Sequence, residues 1–534
     1  MKHKKNKSIL LHLLLAIFQI HTLTNQELED QILHGLFEYD SSFSEITEHA
    51  PQGPLKRIPK DEAVAALTGF VNAQEILQEP LYYRSNPVGR RNIIDVSIFQ
   101  QFSSFTRIPS KIIEFTPFYT QTYKEYYFNE HESIDHYLNI KQETLVDVVD
   151  RFELTSFDLP EILSLFSKIK LQERNAGFMF GFTKATDFYA FAFRIPFYWT
   201  EHNFYLNKKE QNAIINHPAF ADFKGDFFEY AQQHLISDAL ALGDTKVQIE
   251  FLCKKSRKYQ LSLGGRATLP TRVRLKKGLL GNYFNINAPR YSFNLYTDLL
   301  KIPTDLTAPT DAEKATLTTN AVALTDAIID RLSTMLLEQG NENNHHFGIG
   351  IFGHSVMRFN EKFSLSSLSS IEALLPSTEK RFYIIKNNNA AFNAFNWDDI
   401  TVQIDEKLTF LDKQFKEKFF LPVYPTHVFP GFIFQNTSAL THHCHTWDFI
   451  VGADFWLQTK EHLGRITTPS SDITDSLQVE TAQRKQLYQS GIWLAAEKHP
   501  SSSGWQWGGK IGWTNVSSGI GKDISIAFHF EKIF

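Results

Sequence analysis

Thiols are almost absent from this sequence. Its 534 residues include two cysteines, Cys253 and Cys444, and no Cys-x-x-Cys pair. A thiolate zinc centre is excluded, and whether the two cysteines pair is left open. Long apolar runs are missing too: beyond Ile20 no stretch approaches the ~18 apolar residues that identify a membrane-crossing helix. An excess of charge of one sign is also lacking. Lys and Arg number 54 against 59 Asp and Glu, a net charge of −5 that argues against nucleic acid as a partner. Catalytic signatures are scarce. Gly353-His354-Ser355 lacks the flanks of a Gly-x-Ser-x-Gly elbow, and Gly348-Ile349-Gly350 lacks the third glycine of a phosphate loop. No cofactor is expected, and an enzyme is not the first reading.

Aromatic residues, in contrast, are abundant: 47 Phe, 19 Tyr and 8 Trp, with hydrophobic content at 43 % and charged content at 21 %. This balance is globular or barrel-like rather than disordered. At the N-terminus Lys2, Lys4, Lys5 and Lys7 precede an apolar stretch, Ile9–Ile20, that is too short to span a bilayer. Thr22 and Thr24 are small enough for cleavage before Asn25, so residues 1–24 are expected to be an export signal. An exported chain without a transmembrane helix is either soluble or crosses a membrane as a barrel, the other fold that satisfies every backbone group in lipid.

Period-two alternation favours the barrel. In 189–199 Tyr189, Phe191, Phe193, Ile195, Phe197 and Trp199 share one face, and Ala190, Ala192, Arg194 and Tyr198 share the other. An apolar stripe about ten residues long opposite small and charged residues suits lipid outside and polar groups inside. Tyr189 and Trp199 fall at the two ends, where interfacial girdles belong. The same reading puts Asp448, Gly452, Asp454 and Trp456 inside along 447–457, and Gln506, Gly508, Lys510 and Gly512 inside along 505–513. Lys246, Gln248 and Glu250 alternate with Val247, Ile249 and Phe251, and Arg266 lies on the polar side of 260–269. Weaker candidates are 91–100, 111–123, 176–184, 345–354, 380–386, 428–435 and 488–497.

The last stretch is the most informative. Ile524, Ile526, Phe528, Phe530, Lys532 and Phe534 share one face, against Ser525, Ala527, His529 and Glu531. A terminal Phe preceded by alternating hydrophobics resembles the C-terminal assembly signal of bacterial outer-membrane β-barrels, with Lys532 departing from the usual aromatic. The resemblance implies a Gram-negative outer membrane, lipid contact and recognition of Phe528, Phe530 and Phe534 by the barrel-assembly machinery. It also puts the chain end in the periplasm. Counted back from there, connections expected outside (516–522, 458–487, 387–427, 270–344, 200–244, 124–175) are mostly longer than those inside (498–504, 436–446, 355–379, 253–258, 184–187). Thirteen candidates conflict with the even strand number of such barrels. Dropping 91–100 leaves 12, with 14 as the alternative.

The expected fold is therefore all-β, a transmembrane antiparallel barrel over 91–534 with helical insertions in long loops, preceded by a periplasmic or plug-like segment at 25–90. Helices are predicted near Thr310–Gly340, Asp226–Leu242 and Asp61–Leu77, as constriction, plug or rim cap. The hairpin between Gly243-Asp244 and Pro270-Thr271 resembles one in barrels that move hydrophobic compounds. Arg194, Lys246, Glu250, Arg266, Asp448, Asp454 and Lys510 are the candidate lumen residues. They would set ion selectivity in an open barrel and pair to fill a narrow one. His442, His443, Cys444 and His445 are dense, but neighbours on a strand point to opposite faces, so a polar turn is preferred over a metal site. The functional expectation is a pore or passive transporter for small solutes, hydrophobic ones included, of unknown oligomeric state. The alternatives are a barrel enzyme, a surface adhesin and a soluble secreted β-sandwich.

Overall fold

Strands form where alternating stripes predict them, because β-branched and aromatic side chains fit a pleated surface with two unlike faces. The computed structural model describes residues 110–124, 170–205, 227–284, 329–337, 346–386, 420–498, 504–519 and 521–534, with isolated positions between them. The leader, the 25–90 segment with its helix at Asp61–Leu77, and the stretch 91–100 lie outside the described residues. In chain order the strands are β1 (Ser110–Lys124), β2 (Lys170–Ala185), β3 (Tyr189–Tyr205), β4 (Ile236–Leu242), β5 (Thr245–Lys255), β6 (Tyr259–Leu269), β7 (Val273–Lys277), β8 (Gly348–Arg358) and β9 (Phe363–Leu374). They continue as β10 (Ser377–Phe382), β11 (Val423–Phe429), β12 (Phe432–His443), β13 (Trp447–Gln458), β14 (His462–Ile466), β15 (Leu487–Lys498), β16 (Trp505–Ser518) and β17 (Lys522–Ile533). Helix α1 spans Phe227–His234, and α2 (Ser471–Asp475) and α3 (Val479–Ala482) lie between β14 and β15.

Twelve of these strands close a ring in the order β1, β2, β3, β5, β6, β8, β9, β12, β13, β15, β16, β17 and back to β1. Every neighbouring pair is antiparallel, and the closing pair runs from Ile112↔Ile533 to Lys124↔Lys522. The last residue joins the seam, with the Phe534 N–H donating to the Lys111 carbonyl at 2.9 Å. A closed ring leaves no unpaired edge, the requirement for strands in lipid.

One end of the ring carries only short connections: 186–188, 256–258, 359–362, 444–446 and 499–504. Four of these turns share one pattern, a small polar residue followed three positions later by an aromatic: Thr186/Tyr189, Ser256/Tyr259, Asn360/Phe363 and Cys444/Trp447. Thr186, Ser256 and Asn360 accept backbone N–H groups of the turn through their side-chain oxygens, at 2.8–3.4 Å. These are side-chain-closed turns, and each delivers an aromatic to the first position of the next strand. The other end carries the long connections 125–169, 206–235, 270–347, 375–431 and 459–486, and one short one, 519–521. The predicted division into short-turn and long-loop ends therefore holds.

Three expectations are corrected. The candidate 380–386 is not a barrel strand; it falls on β10, which pairs with β11 and β14 in a separate three-stranded sheet at the long-loop end. The missed barrel strand is β9, whose outward Phe363, Leu365 and Ile371 are diluted by five serines, so its aromatic stripe is weak. The candidate 428–435 straddles the turn between β11 and β12, where Gly431 takes a φ of +84°. The helix predicted over Asp226–Leu242 stops at His234, and 236–242 is β4. β3 outruns the barrel, and its protruding edge from Phe197 to Asn203 needs partners, which β4 supplies. The helix expected in Thr310–Gly340 is present at 329–337.

Candidate functional site

Alternation sorts the side chains of the ring into two environments. Outward residues such as Ile351, Val451 and Phe528 are 67 %, 56 % and 55 % exposed, whereas inward Glu114, Glu372 and Glu531 are 1 %, 2 % and 0 % exposed. An exposed apolar belt of this extent is untenable in water and requires lipid. At the short-turn end the belt finishes on Trp447, Trp505, Trp507 and Phe534. Lys532, the departure from the terminal pattern, lies with its ammonium 5.2 Å from the Trp505 ring centre and 5.7 Å from that of Phe534. It replaces an aromatic with a cation resting on aromatics at the interface.

The inward face is polar and organised in rows across the sheet. Glu114 on β1, Gly181 on β2 and Arg194 on β3 are in register. Arg194 Nε donates to Glu114 Oε2 at 3.1 Å, and its Nη1 donates to Gln248 at 3.1 Å. The pair spans two strand spacings because the middle residue is glycine: a Cβ on Gly181 would lie 2.7 Å from Glu114 Oε2. The same device recurs with Arg266 on β6, Gly350 on β8 and Glu372 on β9. Here Arg266 Nη2 lies 2.5 Å from Glu372 Oε2, and its Nη1 donates to Gln435 at 2.9 Å. A third row sets Glu497, Gly508 and His529 side by side, and His529 Nε2 meets Glu531 at 2.7 Å.

The seven predicted lumen residues all occupy inward positions. Arg194 and Arg266 anchor the first two rows, and Lys246 sits in register between Arg194 and Thr268. Glu250 hydrogen-bonds Ser262, with His354 Nδ1 at 3.6 Å. Lys510 stacks over the Trp493 ring at 4.0 Å. Asp454 is buried on β13, and Asp448 pairs with His443 at 2.9 Å. These ion pairs run along the wall, two strands or one strand apart, rather than across the diameter. Their partners Glu114, Glu372 and Gln435 were missed; Glu114 and Glu372 sit at inward positions opposite glycines, a signal readable only once register is known.

The His442–His445 cluster is split by the strand as expected. His442 stacks on Phe363 with centroids 4.7 Å apart, while His443 turns inward. Among the described residues no group of three or more His, Cys, Asp and Glu is placed to hold a metal ion, and Cys253 and Cys444 are free thiols. The inward His443 also reaches Ser364, a contact that sequence reading did not find: Ser364 Oγ is 2.8 Å from His443 Nε2.

The long-loop end is a folded cap. Leu171 of β2, Phe284, Ile286, Met335, Leu336 and Leu337 share one buried cluster with Phe382 of β10 and Leu421. β2 and β9, the strand that leads into β10, are five steps apart in the ring of twelve, close to opposite walls. The cluster joins the long-loop end of β2 to β10, which follows β9. At the same end Arg381 of β10 bridges Glu379 at 2.5 Å and Glu461 at 3.1 Å, and Glu379 also meets His346 at 2.5 Å.

Burial alone would raise the Glu379 carboxyl, but Arg381, His346 and Arg484 hold it below the usual carboxylate range. Burial pushes the Tyr383 hydroxyl up to about 12, against weaker pulls from its Thr426 hydrogen bond and from Arg381. A raised phenol stabilises the cap below its unfolded value of about 10, and that contribution is lost as pH rises toward the folded value. A depressed carboxyl stabilises the cap above the ordinary carboxylate range, and that contribution is lost as pH falls through the folded value. The cap should therefore become protease-sensitive above about pH 10 and again in acid, while the barrel band persists on unheated detergent gels. Cap sensitivity that does not change with pH would contradict this.

Closure, an apolar exterior and a polar interior define a class: this is a β-barrel of the outer-membrane type. No protein-family model matches the chain, and no curated protein matches it. Solved structures similar to it include an outer-membrane channel from Pseudomonas putida F1, at 8 % identity over 83 % of this chain and 100 % of that one, with a TM-score of 0.39. The toluene transporter TodX of Pseudomonas putida is 7 % identical over 85 % and 96 % of the two chains, with a TM-score of 0.32. The transport unit of the autotransporter AIDA-I from Escherichia coli is 6 % identical over 83 % and 95 %, with a TM-score of 0.30. Likeness at this level carries no argument, and the class rests on this chain's own belt, seam and inward ladder.

Proposed function

We propose that the barrel is a passive channel for small solutes, with its short-turn end in the periplasm and its capped end outside. The observation that supports this best is the inward ladder of paired charges. Arg194–Glu114 and Arg266–Glu372 lie flat along the wall over glycines instead of packing as an apolar plug. A polar wall of this kind favours small hydrophilic solutes. Small apolar solutes are the second class. They are supported by the Gly243–Thr271 hairpin, where Thr271 Oγ1 donates to the Gly243 carbonyl and accepts the Thr245 N–H. Residues 25–90 are assigned to a periplasmic or plug segment on this reading.

Planar-bilayer recording of the purified protein is the direct test. Discrete conductance steps are expected, larger after proteolytic removal of the cap. Absence of conductance together with absence of solute-driven liposome swelling would sink the channel reading.

The seam supports a role for Phe528, Phe530 and Phe534 in assembly through the barrel-assembly machinery. Phe534 contributes both a backbone bond to Lys111 and an exposed ring. Deleting Phe534 should lower the heat-modifiable fraction in outer membranes several-fold, with the remainder accumulating unfolded. Unchanged assembly would remove the signal.

A further inference from the structure

Three adjacent strands bring a serine, a histidine and an aspartate together at the short-turn end of the lumen. His443 on β12 lies directly opposite Asp448 on β13, and β12 also pairs with β9, which carries Ser364. Ser364 Oγ is 2.8 Å from His443 Nε2, and His443 Nδ1 is 2.9 Å from Asp448 Oδ1. A carboxylate only accepts, so the ring proton sits on Nδ1 and Nε2 is left to accept from the serine hydroxyl. This sequence of groups converts a serine hydroxyl into a nucleophile, and it is recognised by geometry rather than by order along the chain.

The surroundings suit the role. The His443 backbone N–H donates to the Lys362 carbonyl at 2.7 Å, fixing the base at the strand end. His443 and Asp448 keep 33 % and 21 % of their side-chain surface exposed, so a small molecule entering this mouth reaches the base. Arg358 of β8 is in register with Ser364 and exposed, which sets a cationic residue at the same end of the barrel.

We propose that Ser364, His443 and Asp448 form a hydrolytic centre for small carboxylic esters, reached from the short-turn mouth. Ser364 Oγ bonds to the ester carbonyl carbon while its proton passes to His443 Nε2. The carbon–alkoxide bond then breaks, and His443 returns the proton to the leaving oxygen, giving an alcohol and an acyl-Ser364. Water attacks the acyl carbon, its proton goes to His443 and then to Ser364 Oγ, and the carboxylic acid departs. Ester and water become acid and alcohol with no redox partner. Asp448 holds the imidazole tautomer and steadies its cation.

The test uses the full-length protein in detergent, with a fluorophosphonate probe and 4-nitrophenyl acetate. One adduct should form and map to Ser364 by mass spectrometry. Ser364→Ala and His443→Ala should abolish it and reduce hydrolysis to the buffer rate. Asp448→Asn should slow hydrolysis by roughly a hundredfold or more. Heat-modifiable migration shows that each variant is folded; should His443→Ala fail that control, His443→Gln takes its place. An unlabelled wild type, or labelling that persists in Ser364→Ala, overturns the proposal and leaves the three residues as a strand-end staple that changes thermal stability alone. Conductance of Ser364→Ala is expected to match wild type, so the hydrolase and channel readings fail separately.

Discussion

Replacing Arg381 by Met should unfold the long-loop cap while the barrel stays closed. Arg381 is 1 % exposed and lies between Glu379 and Glu461, themselves 4 % and 2 % exposed. Glu461 also accepts the backbone N–H of Arg484 at 2.6 Å, so the network ties β10 to the segment that enters β15. Removing the guanidinium leaves two buried carboxylates without the cation they share. Breaking a buried pair in this way costs about 3–5 kcal/mol, a large fraction of what a small three-stranded sheet can supply. The barrel does not share that dependence, because its ring of backbone pairs closes without β10, β11 or β14. The expected result is a retained heat-modifiable band, new protease sites within 375–431 and 459–486, and a larger unitary conductance. The triple variant Glu379→Gln, Arg381→Met, Glu461→Gln should restore much of the cap, since neutralising both carboxylates removes their uncompensated charge. A cap that resists protease in Arg381→Met would show that its apolar clusters alone hold it.

The barrel was legible in the sequence wherever lipid imposes its pattern. β3, β13, β16 and β17 expose long aromatic-aliphatic stripes, and their alternation gave the lipid face and the place of each strand, while the far ends of β3 and β16 and the pairing of β17 with β1 needed the structure. β9 escaped because serine is small enough to sit on either face, so its outward apolar positions are interrupted at Ser367 and Ser369. β10 was misread for the converse reason: Phe382 and Ile384 are apolar for the cap core, not for lipid, and alternation does not distinguish the two. The strand β4 was hidden behind helix-favouring Ala and Leu, and only the unpaired edge of β3 decides it. The seven lumen candidates were chosen by face and lie at inward positions, but their partners were not read, because a row such as Glu114, Gly181 and Arg194 joins positions 67 and 13 residues apart through register. The Ser364–His443 contact was invisible for the same reason; Asp448 was named for its face and not for its neighbour.

Those rows carry the second large effect. Glu114 with Arg194 and Glu372 with Arg266 make two local pairs of zero net charge on the inward wall. Converting Glu114 and Glu372 to Gln leaves two guanidiniums there, and converting Arg194 and Arg266 to Gln leaves two carboxylates. Fixed charge at a narrow site selects the counter-ion, so in a potassium chloride gradient the reversal potential should move toward chloride in the first variant and toward potassium in the second. Each change also strands a buried charge at a cost of about 3–5 kcal/mol, so both variants should lose thermal stability in similar measure. Gly181→Leu separates charge from geometry. Its side chain enters the space occupied by the Glu114 carboxylate and forces the pair apart with every charge retained. Conductance should fall in that variant with little change in reversal potential. If the two charge variants instead gave the same reversal potential, the rows would be wall supports away from the constriction, and the solute path would have to avoid them.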